Sequence, residues 1–296
     1  MSLSLDDVKK LAIVSLFYDD ELVDRFTVKG GTAINVFFGY NDRTSMDIDV
    51  SMSDDFSPDE MQHIASKLEK AFQNVFGERS YQVFDFKFFP TPKKVSEKFA
   101  GFWGGYSVEF KIIEAERYNP NELERMQRSA VVVGTGQQKR FTIDISKYEY
   151  TVPKVEDELF GYVIYIYSPL MVLYEKLRAI CQQMDEYKEI VFTHSSQRAR
   201  DFFDIFTIAE KLDTTEVYNP ENVEILKEIF RVKRVSLRLL GNITNQREFH
   251  RDNFSAVQAA VADRRLEAYD YYFDYVEKLI EPLSYLWIED QRETAG

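Results

Sequence analysis

The chain of 296 residues contains 37 lysine and arginine residues against 50 aspartate and glutamate residues, which gives a formal net charge of −13. Apolar residues make up 45% of the chain, and Gly (12) and Pro (8) are scarce, so its composition excludes collagen-like, disordered and low-complexity proteins. The single cysteine, Cys181, excludes an internal disulfide and a thiolate metal cluster, and we expect it to be a small buried residue.

The sequence shows neither a secretory signal nor a membrane span. No positively charged segment followed by an apolar one opens the chain, and no apolar run approaches the roughly 18 residues of a membrane helix. We therefore expect a cytoplasmic protein without a membrane partner. Its acidity argues against nucleic-acid binding over the whole surface but leaves room for a local basic patch.

The first half of the chain alternates helical and extended patterns. Apolar residues at helical spacing predict helices over 5–24, over a short segment that follows Gly30-Gly31 and ends at Gly39, over 57–75 and over 119–128. Alternating or aromatic-rich stretches predict strands near 47–52, 81–89, 106–114 and 139–147, with a turn at 134–136 between the last two.

The second half of the chain is mostly helical. Ser168-Pro169 combines a helix cap with proline at the first helical position, and helices are predicted over 169–184, 197–212, 220–240 and 254–288. The stretch 150–168 is either a linker or an edge strand. We predict a two-domain α/β (α+β) protein, with a mixed sheet and flanking helices in 1–150 and a helical domain in 151–296.

Two aspartates in MDIDV form the first candidate for a chemical role. Asp47 and Asp49 lie two residues apart, and in a strand this spacing places both carboxylates on one face, about 6.5–7 Å apart along the chain. Hard cations such as Mg²⁺ bind oxygen ligands held in this way. A solvated strand edge is the alternative explanation.

A glycine turn precedes these aspartates. In Lys29-Gly30-Gly31-Thr32 the double glycine opens a helix, where backbone N–H groups can hold a phosphate, although a simple tight turn would use the same residues. An acidic residue on another strand-like segment could join Asp47 and Asp49. Asp144 in FTIDIS is our choice, and Glu109 and Asp85 are the rivals.

Gly-Gly-Thr followed after 14 residues by Asp-Ile-Asp-Val resembles the nucleotidyltransferase fold of the DNA polymerase β-like superfamily. The string VKGGTAINVFFGYNDRTSMDIDVSM, with YEKLRAI at 174–180 and RARDFFDI at 198–205, is more narrowly similar to the bacterial AbiEii/AbiGii toxin-type nucleotidyltransferases. The resemblance implies a minimal nucleotidyltransferase domain followed by a helical domain that completes a cleft.

The resemblance also implies roles for individual residues. The triphosphate would contact Gly30, Gly31, Thr32 and Ser45, with Lys29 and Lys176 as cations of the nucleotide site. Metal would bind Asp47 and Asp49 with a third carboxylate from a neighbouring strand, for which Asp144 is our choice, and Asp201 would lie across the cleft. Arg43, Arg198 and Arg200 are further candidate cleft cations. From the residues alone, Lys176 lies at the edge of an apolar helical stripe, and an exposed solubilising lysine is the alternative explanation.

The activity implied by the resemblance is Mg²⁺- or Mn²⁺-dependent transfer of a nucleotidyl group from an NTP to an acceptor, in a toxin balanced by an antitoxin. We expect the acceptor to be RNA, with tRNA as one candidate. A basic helical face formed by Lys227, Arg231, Arg234 and Arg238 would contact the RNA, unless it is a solvated surface or binds an acidic partner such as the antitoxin.

Two other function classes are compatible with the motifs. One is a nucleotide-binding regulatory module without transfer activity, against which the intact Asp47-x-Asp49 pair weighs. The other is a D-x-D nucleotide-sugar transferase, which the Gly-Gly-Thr turn disfavours. The aromatic residues at 269–275 are expected to pack between helices rather than to stack on bases.

Overall fold

The computed structural model describes residues 3–40, 47–132, 138–192, 194–261 and 266–293, with side chains up to residue 288. These residues form two compact units. The first comprises 3–32 and 47–166, and the second comprises 33–40 and 167–293. The turn predicted at 134–136 lies outside the described residues.

A seven-stranded mixed sheet forms the centre of the first unit. Its strands are β1 (Thr27–Val28), β2 (Ile48–Ser51), β3 (Tyr81–Thr91), β4 (Gly105–Glu114), β5 (Phe141–Ser146), β6 (Val155–Leu159) and β7 (Tyr162–Ile166). The strand order is β3-β4-β5-β2-β1-β7-β6, and the pairs β2/β5 and β1/β7 are parallel while the others are antiparallel. The predicted mixed α/β fold is confirmed.

Four α-helices accompany this sheet in the chain. They are α1 (Leu5–Leu16), α2 (Gly30–Ala33), α3 (Met61–Gly77) and α4 (Leu123–Ser129), with 3₁₀ turns at Val23–Arg25, Glu97–Phe99 and Ala115–Arg117. The first helix begins at a capping box, in which the Ser4 hydroxyl accepts the Asp7 N–H and the Asp7 carboxylate accepts the Ser4 N–H.

The two faces of the sheet differ in chemistry because side chains alternate along each strand. Ile48 and Val50 of β2 pair with Ile143 and Ile145 of β5, and all four are buried on the apolar face. Phe110 of β4 belongs to this core, where its ring centroid lies 5.0 Å from that of Phe72 and 5.6 Å from that of Phe76, both on α3. The opposite face is polar at its centre.

The hairpin β6–β7 lies beyond our boundary at residue 150 and yet belongs to the sheet, which extends to Ile166. Its turn consists of Phe160 and Gly161, whose φ angles of 55° and 85° suit the two-residue turns that match the twist of paired strands. Within the stretch 150–168, β6 is the edge strand of the sheet.

The second unit is helical. Its α-helices are α5 (Pro169–Cys181), α6 (Asp185–Lys188), α7 (Ala199–Ala209), α8 (Pro220–Val232), α9 (Arg247–Arg251), α10 (Phe254–Ala260), α11 (Tyr269–Ile280) and α12 (Ser284–Glu293). A π-helix (Ile34–Phe38) and 3₁₀ segments at Thr214–Tyr218, Leu237–Gln246 and Glu281–Leu283 complete it. None of the helices within the described ranges has the length and apolar character required to cross a bilayer.

Local signals explain where the helices of this unit begin and what they bury. As predicted, the Ser168 hydroxyl caps α5 by accepting the N–H of Met171 (3.2 Å), with Pro169 at the first helical position. Cys181, at the end of α5, is buried as expected. In α11, Tyr272 and Phe273 are buried and pack on aromatic rings of α7, which agrees with the helix-packing prediction.

The helix predicted over 220–240 ends early, at Val232. Arg234 adopts a left-handed conformation (φ 54°), and its N–H donates to the Arg231 carbonyl while the Val235 N–H donates to the Phe230 carbonyl. These two bonds define a Schellman C-cap, which glycine usually provides. Because arginine occupies the left-handed position, the sequence carries no stop signal there.

Gly105 allows β4 to pair with β5. A Cβ atom at this position would overlap the carbonyl oxygen of Ile145. We expect Gly105→Ala to destabilise the first unit by about 2 kcal/mol or more and to lower its unfolding midpoint by roughly 5 °C. Gly77→Ala is the matched control, since nothing lies within 4 Å of its added Cβ. Equal thermal unfolding midpoints for the two variants would contradict this account.

Candidate functional site

Carboxylates gather at the centre of the polar sheet face. Asp49 of β2 is paired in register with Asp144 of the parallel strand β5, and Ser107 of β4 is paired with Asp144 from the other side. Register partners on adjacent strands place their side chains on the same face, with the strands about 4.8 Å apart. Asp47 precedes Asp49 by two residues and remains exposed at the start of β2. The structure therefore brings the three predicted metal ligands to one region of the sheet.

The electrostatics of Asp144 fit a cluster of like charges. Partial burial raises the pKa of its carboxyl group, and the negative charge of Asp47 raises it further. A long hydrogen bond from the Ser107 hydroxyl (3.5 Å) and the positive charge of Lys29 act in the opposite direction. A bound cation would favour the charged form of this carboxylate.

The glycine turn is bonded directly to the strand that carries the aspartates. The Lys29 N–H donates to the Asp49 carbonyl (2.9 Å), and the Thr32 hydroxyl donates to the Asp47 carbonyl (3.0 Å). Gly30 has φ 61°, and a Cβ atom there would lie 2.9 Å from Oδ2 of Asp49. Only glycine combines this conformation with so close an approach of the backbone to the carboxylate.

Lys29 points into a buried polar network beside the carboxylates. Its ammonium group donates to the Ser146 hydroxyl (3.1 Å) and to Oε1 of Glu149 (3.4 Å), and both Lys29 and Glu149 are buried. The sequence analysis missed these two partners. Ser146 could have been found, because it lies two residues after Asp144 and so shares its face. Glu149 follows the end of β5, where alternation gives no guidance.

The rival third ligands are held by basic residues. Glu109 pairs with Arg140 (3.0 Å), and Asp85 pairs with Lys111 (2.8 Å). Glu109 is in register with Thr142, two residues before Asp144 on β5. The structure thus places Asp144 directly beside Asp49 and engages both rivals elsewhere.

Across the part of the chain that the structure describes, no three acidic, histidine or cysteine side chains converge closely enough to form a metal cage by themselves. Magnesium is commonly held by one or two carboxylates together with substrate phosphates. The donor set of Asp47, Asp49 and Asp144 fits this kind of binding. Ser45, a predicted phosphate contact, and Arg43, a candidate cleft cation, lie outside the described residues, so both roles stay predictions.

The second unit buries a triad of charges. Nζ of Lys176 on α5 lies 2.9 Å from Oδ1 of Asp201 and 2.8 Å from Oδ2 of Asp204, both on α7. All three residues are buried, so the alternative of an exposed solubilising lysine is wrong. Burial alone would lower the pKa of Lys176, but the two carboxylates outweigh it and raise the pKa. The two carboxylates thus favour the charged form of Lys176.

A buried histidine adjoins this triad. Nδ1 of His250 accepts the backbone N–H of Arg198 (3.0 Å), and the Arg198 guanidinium lies 3.7 Å from Asp201. Burial lowers the pKa of His250 to about 4, although the charge of Asp201 opposes the shift. The imidazole is therefore neutral near pH 7. Arg200, another candidate cleft cation, is exposed.

The predicted basic face is not one continuous helical stripe. Lys227 and Arg231 lie on α8, whereas Arg234 and Arg238 follow the Schellman cap that ends this helix. On α8 itself, Lys227 pairs with Glu224 (2.7 Å) and Arg231 pairs with Glu228 (2.6 Å). The geometric premise of an RNA-binding helix face over 227–238 was therefore wrong.

Comparisons with known proteins give a family match. The family described as nucleotidyl transferase AbiEii toxin, of type IV toxin–antitoxin systems, matches residues 12–280. No curated protein matches the sequence.

Solved structures give low overall similarity. JHP933 from Helicobacter pylori is 16% identical, with 99% of this chain and 97% of that chain covered and a TM-score of 0.48. An antigenic nucleotidyltransferase-like protein from Paracoccidioides brasiliensis is 17% identical, with 81% and 94% covered and a TM-score of 0.37.

Loss of the Lys176 charge should destabilise the second unit. In Lys176→Met two buried carboxylates face each other without a cation, which costs about 3–5 kcal/mol of unfolding free energy. The control Lys227→Met removes a partly exposed ion pair and should cost less than about 1 kcal/mol. Chemical denaturation measures the free energy of unfolding of both variants. The triple variant that combines Lys176→Met with Asp201→Asn and Asp204→Asn should recover stability, because it buries no unpaired charge. A Lys176→Met protein as stable as the wild type would contradict the buried triad.

His250 should make stability depend on pH. Its pKa is about 4 in the folded protein and about 6.5 in the unfolded chain, so the unfolded chain takes up the proton first as pH falls. The stabilisation is complete above pH 6.5 and is lost towards pH 4, by about 3 kcal/mol in total.

Imidazole resonances followed by NMR between pH 8 and 4 measure this shift directly. The His250 signals, assigned by their loss in His250→Asn, should not move until the pH falls below about 5. Asparagine retains an acceptor for the Arg198 N–H, so the variant is expected to fold. A midpoint near 6.5 for His250 would show that the imidazole is not buried as described.

Proposed function

Because the chain belongs to the AbiEii family of nucleotidyl transferase toxins, we propose that its first unit transfers a nucleotidyl group from an NTP to an acceptor with the help of Mg²⁺ or Mn²⁺. The family resemblance stated from the sequence motifs is confirmed by this membership. The cation, the NTP and the acceptor are the parts of the proposal that go beyond the family.

One observation carries the proposal, namely that Gly30 lies so near the Asp49 carboxylate that a Cβ atom added to it would be 2.9 Å from Oδ2 of Asp49. A nucleotidyltransferase must hold the phosphates of its substrate beside the carboxylates that bind the cation. Here two hydrogen bonds join the glycine turn to the segment that carries Asp47 and Asp49, which supports the proposal that phosphate and cation would bind side by side.

In this proposal, different residues of the first unit bind the cation and the phosphates. Asp47, Asp49 and Asp144 would hold the cation, which when bound lowers the pKa of the acceptor hydroxyl and offsets the charge of the triphosphate. The backbone N–H groups of Gly30, Gly31 and Thr32 would bind phosphate. Lys29, whose ammonium group is held beside Ser146, would add positive charge behind the carboxylates.

The remaining site residues stay predictions of the family resemblance. Ser45 would contact phosphate. Lys176 would bind the nucleotide phosphates, and Asp201 would orient basic residues or the base. Both residues also have a structural role, because they form a buried ion pair within the second unit.

We propose RNA as the acceptor, with the 3′ end of a tRNA as one candidate, and a separate antitoxin as the partner that restrains the activity. The antitoxin is supported by the family description, which refers to type IV toxin–antitoxin systems. The RNA acceptor rests on the family resemblance, since the basic face proposed to contact RNA is not one continuous helix within the described residues.

The test is a labelling reaction that contains the protein, Mg²⁺ or Mn²⁺, total cellular RNA and one labelled NTP at a time, resolved on a denaturing gel. Wild-type protein should label an RNA band, and Asp49→Asn should lower the rate by about 100-fold or more, through lost charge stabilisation of several kcal/mol. Thermal unfolding of the variant shows whether it is folded.

A matched pair of variants tests the third ligand in the same reaction. Asp144→Asn should reduce labelling far more than Glu109→Gln, because only Asp144 is in register with Asp49. The reverse order would indicate that Glu109 is the third ligand.

Other outcomes of the labelling reaction would change the proposed function. A labelled protein band would indicate that the acceptor is a protein and not RNA. NTP binding without pyrophosphate release would indicate a regulatory module, and turnover of a nucleotide sugar would indicate a sugar transferase.

A further inference from the structure

The strand β6 is one of the two edges of the sheet in the first unit, and β3 is the other. Strand β6 pairs with β7 on one side and is exposed along its length, with only Leu159 partly covered. The two-residue turn makes Leu159 and Tyr162 the closing hydrogen-bonded pair. Because bonded and non-bonded pairs alternate in antiparallel strands, the backbone N–H and C=O groups of Glu156 and Glu158 point away from β7.

One of these outward-pointing backbone groups already has a hydrogen-bond partner within β6 itself. The Glu158 N–H donates to Oδ1 of Asp157 (2.7 Å). The Glu156 N–H and the carbonyls of Glu156 and Glu158 still point outwards. Such a row of backbone groups can accept an additional strand from another chain.

The edge carries three consecutive carboxylates without a cation to balance them. Within the described ranges, Glu156, Asp157 and Glu158 form no ion pair, whereas Glu224 and Glu228 on α8 each pair with a basic residue three positions away. The nearby Lys154 ammonium group is engaged, since it lies 3.6 Å from the centroid of the Tyr165 ring and 3.6 Å from Asp24. The edge is therefore strongly and locally acidic.

Apolar side chains flank these carboxylates. Val152 (77%), Val155 (41%), Phe160 (49%) and Val163 (48%) are all substantially exposed. They are four of the eleven large apolar residues that are exposed in the described chain. Exposed apolar surface is therefore concentrated on the hairpin and on Val152, three residues before it. Exposed apolar groups rimmed by charge are typical of protein interaction sites.

We propose that β6 is a docking strand for a basic, extended segment of a partner protein, which adds to the edge of the sheet. Its cationic residues would face Glu156, Asp157 and Glu158, and apolar residues at its ends would cover Val155 and Phe160. A second copy of β6 does not fit, because self-pairing would place carboxylates opposite carboxylates.

The probe for this proposal is a fluorescein-labelled peptide with three consecutive basic residues (Lys-Arg-Lys) between two valines. Its fluorescence anisotropy is titrated with the full chain. The control peptide has the same charge, but alternate backbone N–H groups are methylated so that it cannot add as a strand. The unmodified peptide should bind about tenfold or more tightly than the control and should slow amide hydrogen exchange in the segment 152–166.

Matched protein variants separate local recognition from general attraction to an acidic protein. Glu156→Gln with Glu158→Gln should weaken peptide binding about tenfold, whereas Glu69→Gln with Glu97→Gln removes the same charge from other exposed positions and should change it less than about twofold.

Three results would overturn the proposal. Equal affinities of the two peptides would indicate nonspecific electrostatic attraction. Equal losses of affinity in the two double variants would indicate nonspecific attraction as well. Absence of binding to the wild type would show that the three carboxylates protect the edge against association instead of inviting it.

Discussion

The backbone hydrogen bond from Lys29 to Asp49 ties the glycine turn to the strand β2. It continues the pairing of β1, a strand of only two residues, with β2, and it sets the glycine turn against the carboxylate of Asp49. If this bond and the Gly30 conformation were lost, the turn would move away from the aspartate strand. The positions of both the predicted phosphate-binding backbone and the predicted metal ligands thus depend on one short stretch of main chain.

Much of this arrangement could be predicted from the sequence because it follows from local rules. Alternation in MDIDV fixes which side chains face the core, and Ser168-Pro169 sets the start of a helix. Features that depend on distant partners could not be predicted. Burial of Lys176 requires two carboxylates from another helix, and the end of α8 at Val232 uses arginine where a glycine would have been recognised. Pairing of the 155–166 hairpin with β1 is also nonlocal.

Two buried lysines show how the chain places charge in its interior. Lys29 donates to the Ser146 hydroxyl and to the Glu149 carboxylate, and Lys176 contacts the carboxylates of Asp201 and Asp204. A buried cation is tolerated when such oxygens replace its water shell, and removal of one partner costs more than the pair itself contributes. Both lysines therefore limit which neighbouring residues can change. In the first unit this constraint applies beside the candidate site, and in the second it applies between α5 and α7.

The parallel pairing of β2 with β5 also bears on the order in which the protein is assembled during synthesis. Parallel neighbours cannot be joined by a tight turn, and between these two strands the chain forms α3, β3 and β4. The hairpin β3–β4 is made of contacts closer in sequence and can form earlier, whereas Asp49 meets Asp144 only after β5 has left the ribosome. A nascent chain that stops before residue 141 carries the glycine turn and two aspartates, but it has no third carboxylate beside them.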